Sequence, residues 1–382
     1  MLLYISWFFV SVIFLFATLK SDRKTQNTTM AFFMVALGVF VGLGDMLGGY
    51  DRYIYAELFD SMAEVTRSGG NPWASDSFAF YGSEFGYGTL CALISYITGN
   101  RYIFIFILTM TIYILLIVSL RQYVDNAPFA VVMFMALWFF FTFTYLRQVI
   151  GCTIVWLSIR YIIERRLAPF LLVLFIAYSF HNSAVVFLPM YFLPMKKFQR
   201  QRVIGVMVAA FLIGLTPIPQ GLFAAYGDVN SGRVGASGYE RDAGFRWAYL
   251  IEAVFFLSVI LSSYNIISNK VKDLAMLNIA LIFCAILLIF IRSENGGRLG
   301  WFFMIGVMCT MSNICIKGTK LLKNGVWLLF VSFFLFYRLI DAWAFNMCPY
   351  KTFLTPGHTA AEWIYQEYEY DQKYDTDKLY NM

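Results

Sequence analysis

Residues 146–189 read LRQVIGCTIVWLSIRYIIERRLAPFLLVLFIAYSFHNSAVVFLP, and this stretch decides the fold class. Two continuous apolar runs, 147–163 and 167–180, are separated by a basic turn, and a third run, 183–195, follows His181-Asn182. Apolar runs of about 17–25 residues cross a bilayer as helices, whereas the strands of a membrane barrel alternate apolar and polar residues. The stretch therefore predicts membrane helices and excludes a β-barrel.

The same pattern extends through the chain of 382 residues, of which 60% are hydrophobic and only 14% are charged. A soluble domain is about 45–50% apolar and about 25% charged. This composition excludes a soluble enzyme, a nucleic-acid-binding protein, a disordered regulator and a disulfide-rich secreted domain. We expect an all-α polytopic membrane protein with about 12–14 transmembrane helices, whose first partner is the lipid bilayer. The expected crossings are 1–19, 31–47, 102–120, 128–145, 147–163, 167–180, 183–195, 203–219, 247–264, 275–291, 299–316 and 325–345.

Lysine and arginine alternate between the loops, and such clusters mark the cytoplasmic side of a membrane protein. The clusters are Lys20/Arg23/Lys24, Arg165/Arg166, Lys196/Lys197/Arg200/Arg202, Lys270/Lys272 and Lys317/Lys320/Lys323. The opposite side then holds the loops 48–85, 220–246 and 292–298. We expect one transmembrane domain, 1–345, followed by an acidic, tyrosine-rich tail, 346–382.

This alternation requires that one apolar segment does not cross. The short stretch 86–99 is the best candidate for a re-entrant or surface helix; in the alternative, residues 20–30 face outward and the N-terminus is cytoplasmic. A second surface helix is predicted at 51–66, because its apolar residues share one helical face. Those residues are Ile54, Leu58, Met62 and Val65.

Polar and ionisable side chains gather at the expected outer boundary of the membrane. They are Asp51, Glu84, Arg147, Gln148, His181, Arg246, Arg292, Glu294 and Arg298. Each also has a structural explanation: an arginine can anchor a helix at the interface, and a carboxylate can cap a helix. Charged groups at this depth are costly, however, and they usually face a cavity or a partner.

Several guanidinium groups suit an anionic ligand, and their planar forks match phosphate or pyrophosphate. A nearby carboxylate or histidine suits deprotonation of a hydroxyl. The chain has only two histidines, His181 and His358, and its six cysteines form no C-x-x-C pair, so we expect no metal site and no cofactor. A lipid-linked sugar fits these features, since its tail lies in the bilayer and its polar head lies in water.

Three segments resemble the EpsG/Wzy-type polymerases of bacterial exopolysaccharide, capsule and O-antigen. They are GGYDRYIY (48–55), YGSEFGYGTL (81–90) and, above all, residues 146–189 with their Arg-Gln and Phe-His-x-Ser-Ala elements. Arg298 ahead of Gly300-Trp301 is also similar. Gly151 departs from the small alanine that is frequent in the family.

The resemblance implies a GT-C-like helical bundle at the bacterial plasma membrane, with its active site facing the exterior or periplasm. The implied activity joins oligosaccharide repeat units carried on polyprenyl pyrophosphate, and whether a chain-length regulator or a flippase also binds is left open. We assign catalytic roles to His181, Asp51 and Glu84, with His181 preferred over Asp51 as the base and Asp51 as a ligand of sugar hydroxyls. Binding of substrate or pyrophosphate is assigned to Arg147, Gln148, Arg246, Arg292, Glu294 and Arg298.

Other functions remain open on the sequence. One is a transporter or flippase of lipid-linked glycans, although no internal repeat supports it. Another is a GT-C transferase that uses a single polyprenyl-phosphate sugar, or an O-antigen ligase. A polysaccharide acyltransferase is a weaker alternative.

Overall fold

A computed structural model describes residues 1–46, 51–229, 241–316, 321–355, 357, 374 and 376–380, and these contain helices and no β-strand. The α-helices are α1 (Leu2–Thr18), α2 (Arg23–Leu43), α3 (Asp51–Arg67), α4 (Asp76–Tyr81), α5 (Phe85–Ser95), α6 (Arg101–Tyr123), α7 (Ala127–Leu137), α8 (Phe141–Thr144), α9 (Leu146–Ile163), α10 (Leu167–Phe180), α11 (Arg200–Gly214), α12 (Ile218–Val229), α13 (Trp247–Ser262), α14 (Val271–Ile289), α15 (Met304–Ile316) and α16 (Leu321–Met347). Four 3₁₀ segments join them: Pro72–Ala74, Gly82–Glu84, Asn182–Tyr191 and Gly296–Phe303.

The all-α polytopic membrane fold is confirmed. Within the described residues, six spans are long and apolar enough to cross a bilayer: Arg23–Leu43, Arg101–Tyr123, Leu146–Ile163, Val271–Ile289, Gly296–Cys315 and Gly325–Met347. Four further apolar helices, α1, α7, α10 and α13, are shorter. The expected total of 12–14 crossings stays a prediction, because these helix lengths alone do not fix it.

Two expected crossings have a different local structure. The expected crossing 183–195 overlaps the 3₁₀ segment Asn182–Tyr191 instead of forming an α-helix, and Pro189 within that segment cannot donate a backbone hydrogen bond. Residues 128–145 form α7 and α8 with a turn between them. At this turn the ring of Trp138 packs 4.7 Å from that of Trp156, so tertiary packing replaces helix continuity.

Two of the basic clusters, those at Arg23 and Lys272, meet at one end of the bundle, whereas Lys317 and Lys320 lie outside the described residues. Asp125 forms ion pairs with Arg23 at 3.5 Å and with Lys272 at 2.7 Å. These ion pairs join the starts of α2 and α14 to the loop before α7. At the opposite end, the Tyr4 hydroxyl donates to the carbonyl of Met347 (3.0 Å), so α1 begins where α16 ends. Residues 20–30 therefore begin beside the basic cluster at Lys272, which favours the first of the two arrangements considered for the N-terminus.

Helix α5 contains 11 residues, which span about half of the hydrocarbon core at 1.5 Å per residue. The Asn100 side chain that follows it donates to the carbonyls of Lys378 and Tyr380, each at 2.8 Å. This length fits the re-entrant or surface position predicted for 86–99. The short helix also returns the chain to α6 close to the residues that end α2.

A helix predicted at 51–66 is present as α3, while its position at the membrane surface stays a prediction; its buried face is rotated from the predicted one. Tyr55, Phe59 and Met62 are buried, whereas Ile54 is 48% exposed. The reason is packing: the ring of Phe59 stacks on Phe104 of α6 with centroids 4.0 Å apart. The rotation turns Tyr55 toward the first residues of α9.

Arg52 fixes α3 against the end of α2. This buried guanidinium donates to the carbonyls of Val41 (3.1 Å) and Gly44 (2.6 Å). The last carbonyls of a helix have no partner within it, and a buried arginine can satisfy them. The start of α3, which carries Asp51 and Tyr55, is thereby held in place.

Candidate functional site

Arg147 and Glu84 form an ion pair where α9 begins. Arg147 Nη1 donates to Glu84 Oε2, and their side chains are 22% and 6% exposed. Glu84 Oε1 also accepts a hydrogen bond from the backbone N–H of Asn182 at 3.1 Å. Glu84 precedes α5 but its side chain makes no capping bond to that helix; instead it connects α9 to the turn after α10.

Asp51 belongs to the same cluster through Tyr55. The Tyr55 hydroxyl donates to Asp51 Oδ2 at 3.3 Å, and the Arg147 guanidinium lies over the Tyr55 ring at 5.2 Å. Asp51 itself is half-exposed. The two carboxylates considered for catalysis, Asp51 and Glu84, therefore both lie near Arg147.

His181 ends α10 at the turn to the 3₁₀ segment, where it is half-buried. Burial, and then the charges of Arg147 and Arg298, hold the pKa of His181 well below its usual range, so the imidazole is neutral. Its Nδ1 accepts a hydrogen bond from the Ser183 N–H at 3.3 Å. An accepting Nδ1 favours the tautomer with its proton on Nε2, and the other nitrogen is then a donor.

A close approach of two helices places His181. A Cβ atom built on Gly151 of α9 would lie 3.2 Å from the Cβ of His181 and 3.6 Å from the carbonyl oxygen of Ala177. The glycine therefore lets the C-terminal end of α10 approach α9. This contact brings His181 within reach of the charge on Arg147, two residue positions into α9.

Gln148 and Arg298 are bound to each other. Gln148 Nε2 donates to the Arg298 carbonyl (3.0 Å), and Arg298 Nε donates to Gln148 Oε1 (3.2 Å). The guanidinium lies 4.2 Å from the Tyr145 ring centroid and 5.3 Å from that of Trp301. Its terminal nitrogens have no hydrogen-bond acceptor among the described residues, so they are available to a ligand.

A cavity of about 220 Å³ opens beside Arg298 and Tyr145, close to the start of α9. It lies between α7, α13, α14, α16 and the segment Gly296–Phe303. Arg246, Glu294 and Arg298 line it, as do aromatic rings, and the Arg246 guanidinium lies 5.3 Å from the Tyr249 ring centroid. The volume is several times the roughly 30 Å³ that a water molecule occupies in the liquid.

Arg292 lies elsewhere. It donates to Asp242 Oδ2 at 2.5 Å, both side chains are exposed, and Arg292 is not among the residues that line the cavity. The hydrogen bond from Arg292 lowers the pKa of Asp242. The loop carrying Asp242 pairs with Ser293 by a backbone bridge, and this pairing places Asp242 beside Arg292.

Tyr145, Glu252 and Arg338 are among the residues that line the cavity but did not figure in the sequence-based assignment. Glu252 Oε2 lies 4.0 Å from Arg338 Nη2, and these residues belong to the apolar helices α13 and α16. A usable signal existed, because an ionisable residue within a long apolar run usually has a function.

Among the described residues, no group of three or more His, Cys, Asp or Glu side chains is placed to hold a metal ion. His358 and residues 48–50 of the GGYDRYIY stretch lie outside the described residues. The described site offers arginines that can bind an anion, aromatic rings beside the cavity, and a histidine and two carboxylates close to Arg147.

The family model described as EpsG family matches residues 29–352. No curated protein and no solved structure matches the chain.

Proposed function

The chain belongs to the EpsG family, and on that premise we propose that it is a glycosyltransferase that polymerises a surface polysaccharide. It joins oligosaccharide repeat units carried on polyprenyl pyrophosphate, at the outer face of the bacterial plasma membrane. One observation carries the proposal: the Arg298 guanidinium, held flat by Tyr145 and Trp301, lines a cavity shared with Arg246 at one end of an apolar bundle.

This geometry suits a leaving group with a high negative charge. In the proposed reaction, a sugar hydroxyl of one unit attacks the anomeric carbon of the other, and the bond from that carbon to the pyrophosphate oxygen breaks. Polyprenyl pyrophosphate leaves with the bonding electrons, and the hydroxyl proton passes to a base. Guanidinium groups fixed before the reaction stabilise the developing charge without having to reorganise.

In this proposal Gln148, the neighbour of Arg147 in α9, positions Arg298 by bonding it directly. Arg147 keeps a positive charge near His181, which favours the neutral imidazole that a base requires. A base function for His181 requires the ring to release the Ser183 N–H and to free one nitrogen lone pair. In the tautomer that this bond favours, His181 instead donates a hydrogen bond to the substrate, and Asp51 is the alternative base.

The test uses the full chain in proteoliposomes with a polyprenyl-pyrophosphate-linked oligosaccharide on the accessible face. Chain length is measured by gel ladder and lipid translocation by lectin accessibility. We expect the wild type to lengthen chains and Arg298→Lys to lose most activity, because lysine keeps the charge but not the planar fork. Arg121→Gln is the matched control, since Arg121 is exposed at the end of α6.

Translocation without lengthening would replace the polymerase by a flippase. Full activity of Arg298→Lys at normal protein level would remove the anion-binding role of Arg298. Transfer of one unit to a different acceptor, with no ladder, would indicate a ligase or a single-sugar transferase.

A further inference from the structure

The cavity beside Arg298 continues into the bundle along two helices. Tyr249 and Glu252 lie three residues apart in α13, and Arg246 precedes them by three residues as the N-cap, so the three side chains follow one face of the helix. Leu335, Arg338 and Leu339 line the cavity from α16. Arg338 lies nine positions before the end of α16 at Met347, about 14 Å along the helix.

Glu252 and Arg338 are unusual at this depth. Both belong to apolar helices, and their side chains are 14% and 41% exposed, at a separation of 4.0 Å. Charged groups within a membrane are costly and normally line a polar cavity or a substrate path. A separation of 4.0 Å is the outer limit of an ion pair, so Arg338 can still turn toward a stronger anion.

We propose that Arg338 is a third phosphate-binding arginine of this cavity and that Glu252, 4.0 Å away, is its counter-ion until the anion binds. The inference rests on the proposed function and specifies the ligand class of the same site. Two phosphoryl groups carry more charge than one, and Arg246, Arg298 and Arg338 supply three forked donors to them. The site therefore selects a pyrophosphate over a monophosphate.

A purely structural role makes a different prediction. If Glu252 and Arg338 only tie α13 to α16, then removing either partner breaks the same link. The variants Glu252→Gln and Arg338→Gln would then lose similar thermal stability, and their anion affinities would be the same as each other. In the proposed role, Arg338→Gln removes a ligand, whereas Glu252→Gln removes only a competing negative charge.

The experiment measures binding to the purified full chain in detergent by calorimetry, together with thermal unfolding. The probes are farnesyl pyrophosphate, farnesyl monophosphate and inorganic pyrophosphate. For Arg338→Gln we expect affinity for farnesyl pyrophosphate to fall by about 10-fold or more, and affinity for the monophosphate to fall less. Glu252→Gln should bind the pyrophosphate as tightly as the wild type or more tightly, and Arg121→Gln should bind normally.

If Arg338→Gln does not fold, Arg338→Lys replaces it, and we expect a smaller loss in the same order of probes. Unchanged affinity in the Arg338 variants, or equal losses of affinity in both partners, would overturn the inference, as would a wild type that binds none of the probes. Inorganic pyrophosphate that binds as tightly as farnesyl pyrophosphate would keep the site but reject the lipid carrier. Arg338-dependent binding without chain lengthening would keep the inference and remove the proposed polymerase.

Discussion

Replacing Glu84 by glutamine tests how strongly the start of α9 depends on one carboxylate. Glu84 Oε2 accepts from Arg147 and its Oε1 accepts from the Asn182 N–H, so one side chain joins three segments of the chain. Glutamine has the same shape, but it has no charge to offer Arg147. The Arg147 Nε is already buried without a hydrogen-bond partner, so losing the Glu84 carboxylate adds to an existing deficit in this guanidinium.

The magnitude follows from the burial of the pair. Removing one partner of a buried ion pair costs about 3–5 kcal/mol, because the remaining charge stays buried and uncompensated. Glu84 is 6% exposed but Arg147 is 22% exposed, so water relieves part of this cost. We expect Glu84→Gln to lower the free energy of unfolding by about 2–3 kcal/mol.

The assay is equilibrium unfolding of the purified protein in mixed micelles, with Arg147→Gln and the double variant completing a cycle. The double variant should be more stable than the sum of the single losses predicts, by about 1–2 kcal/mol. Glu164→Gln is the control, because Glu164 and Arg166 lie 3.5 Å apart with 50% and 63% of their side chains exposed. That control should cost at most about 1 kcal/mol. Equal effects of Glu84→Gln and Glu164→Gln would refute the assigned role of the buried pair.

Three further predictions concern the surrounding residues. Gly151→Ala should change the free energy of unfolding by less than about 1 kcal/mol, because the tight 3.2 Å contact with His181 is offset by better helix propensity. Gly151→Leu should abolish turnover by displacing His181, and equal turnover of the two variants would contradict the packing. Because folding depresses the pKa of His181, the unfolded chain takes up a proton at higher pH than the folded protein does, and stability should fall as pH drops through the unfolded value near 6.5. In unfolding experiments from pH 7.5 to 5.5, His181→Gln should flatten this slope, and an unchanged slope would contradict the prediction. Arg292→Gln should retain more polymer formation than Arg298→Gln, because Arg292 is bound to exposed Asp242 and does not line the cavity; the reverse order would contradict this placement.

Most of the fold could be predicted from local sequence, since a bilayer demands long apolar segments and these are visible in any window of the chain. Departures occur where packing decides. The turn at Trp138 depends on the ring of Trp156, and the rotation of α3 depends on the Phe59–Phe104 stack. The proline effect at Pro189 was in principle visible, because a proline inside an apolar run already argues against a regular helix.

The candidate site was predictable as a set of residue types and less so as a set of contacts. Charged residues at the ends of apolar runs are conspicuous, and the structure brings Arg147, Glu84 and His181 together. Nothing local indicates that Glu84 pairs with a residue 63 positions away. The residues around Arg338 in the sequence do not indicate its partner, and only the fold places it opposite Glu252.

The central claim is that this chain forms glycosidic bonds with polyprenyl pyrophosphate as the leaving group. The most direct measurement quantifies released polyprenyl pyrophosphate and new glycosidic bonds in one reaction, with the full chain in proteoliposomes and excess chelator present. The proposal predicts one lipid pyrophosphate released for each bond formed, with chelator-resistant turnover. Bonds without lipid release, or release without chain growth, would contradict it.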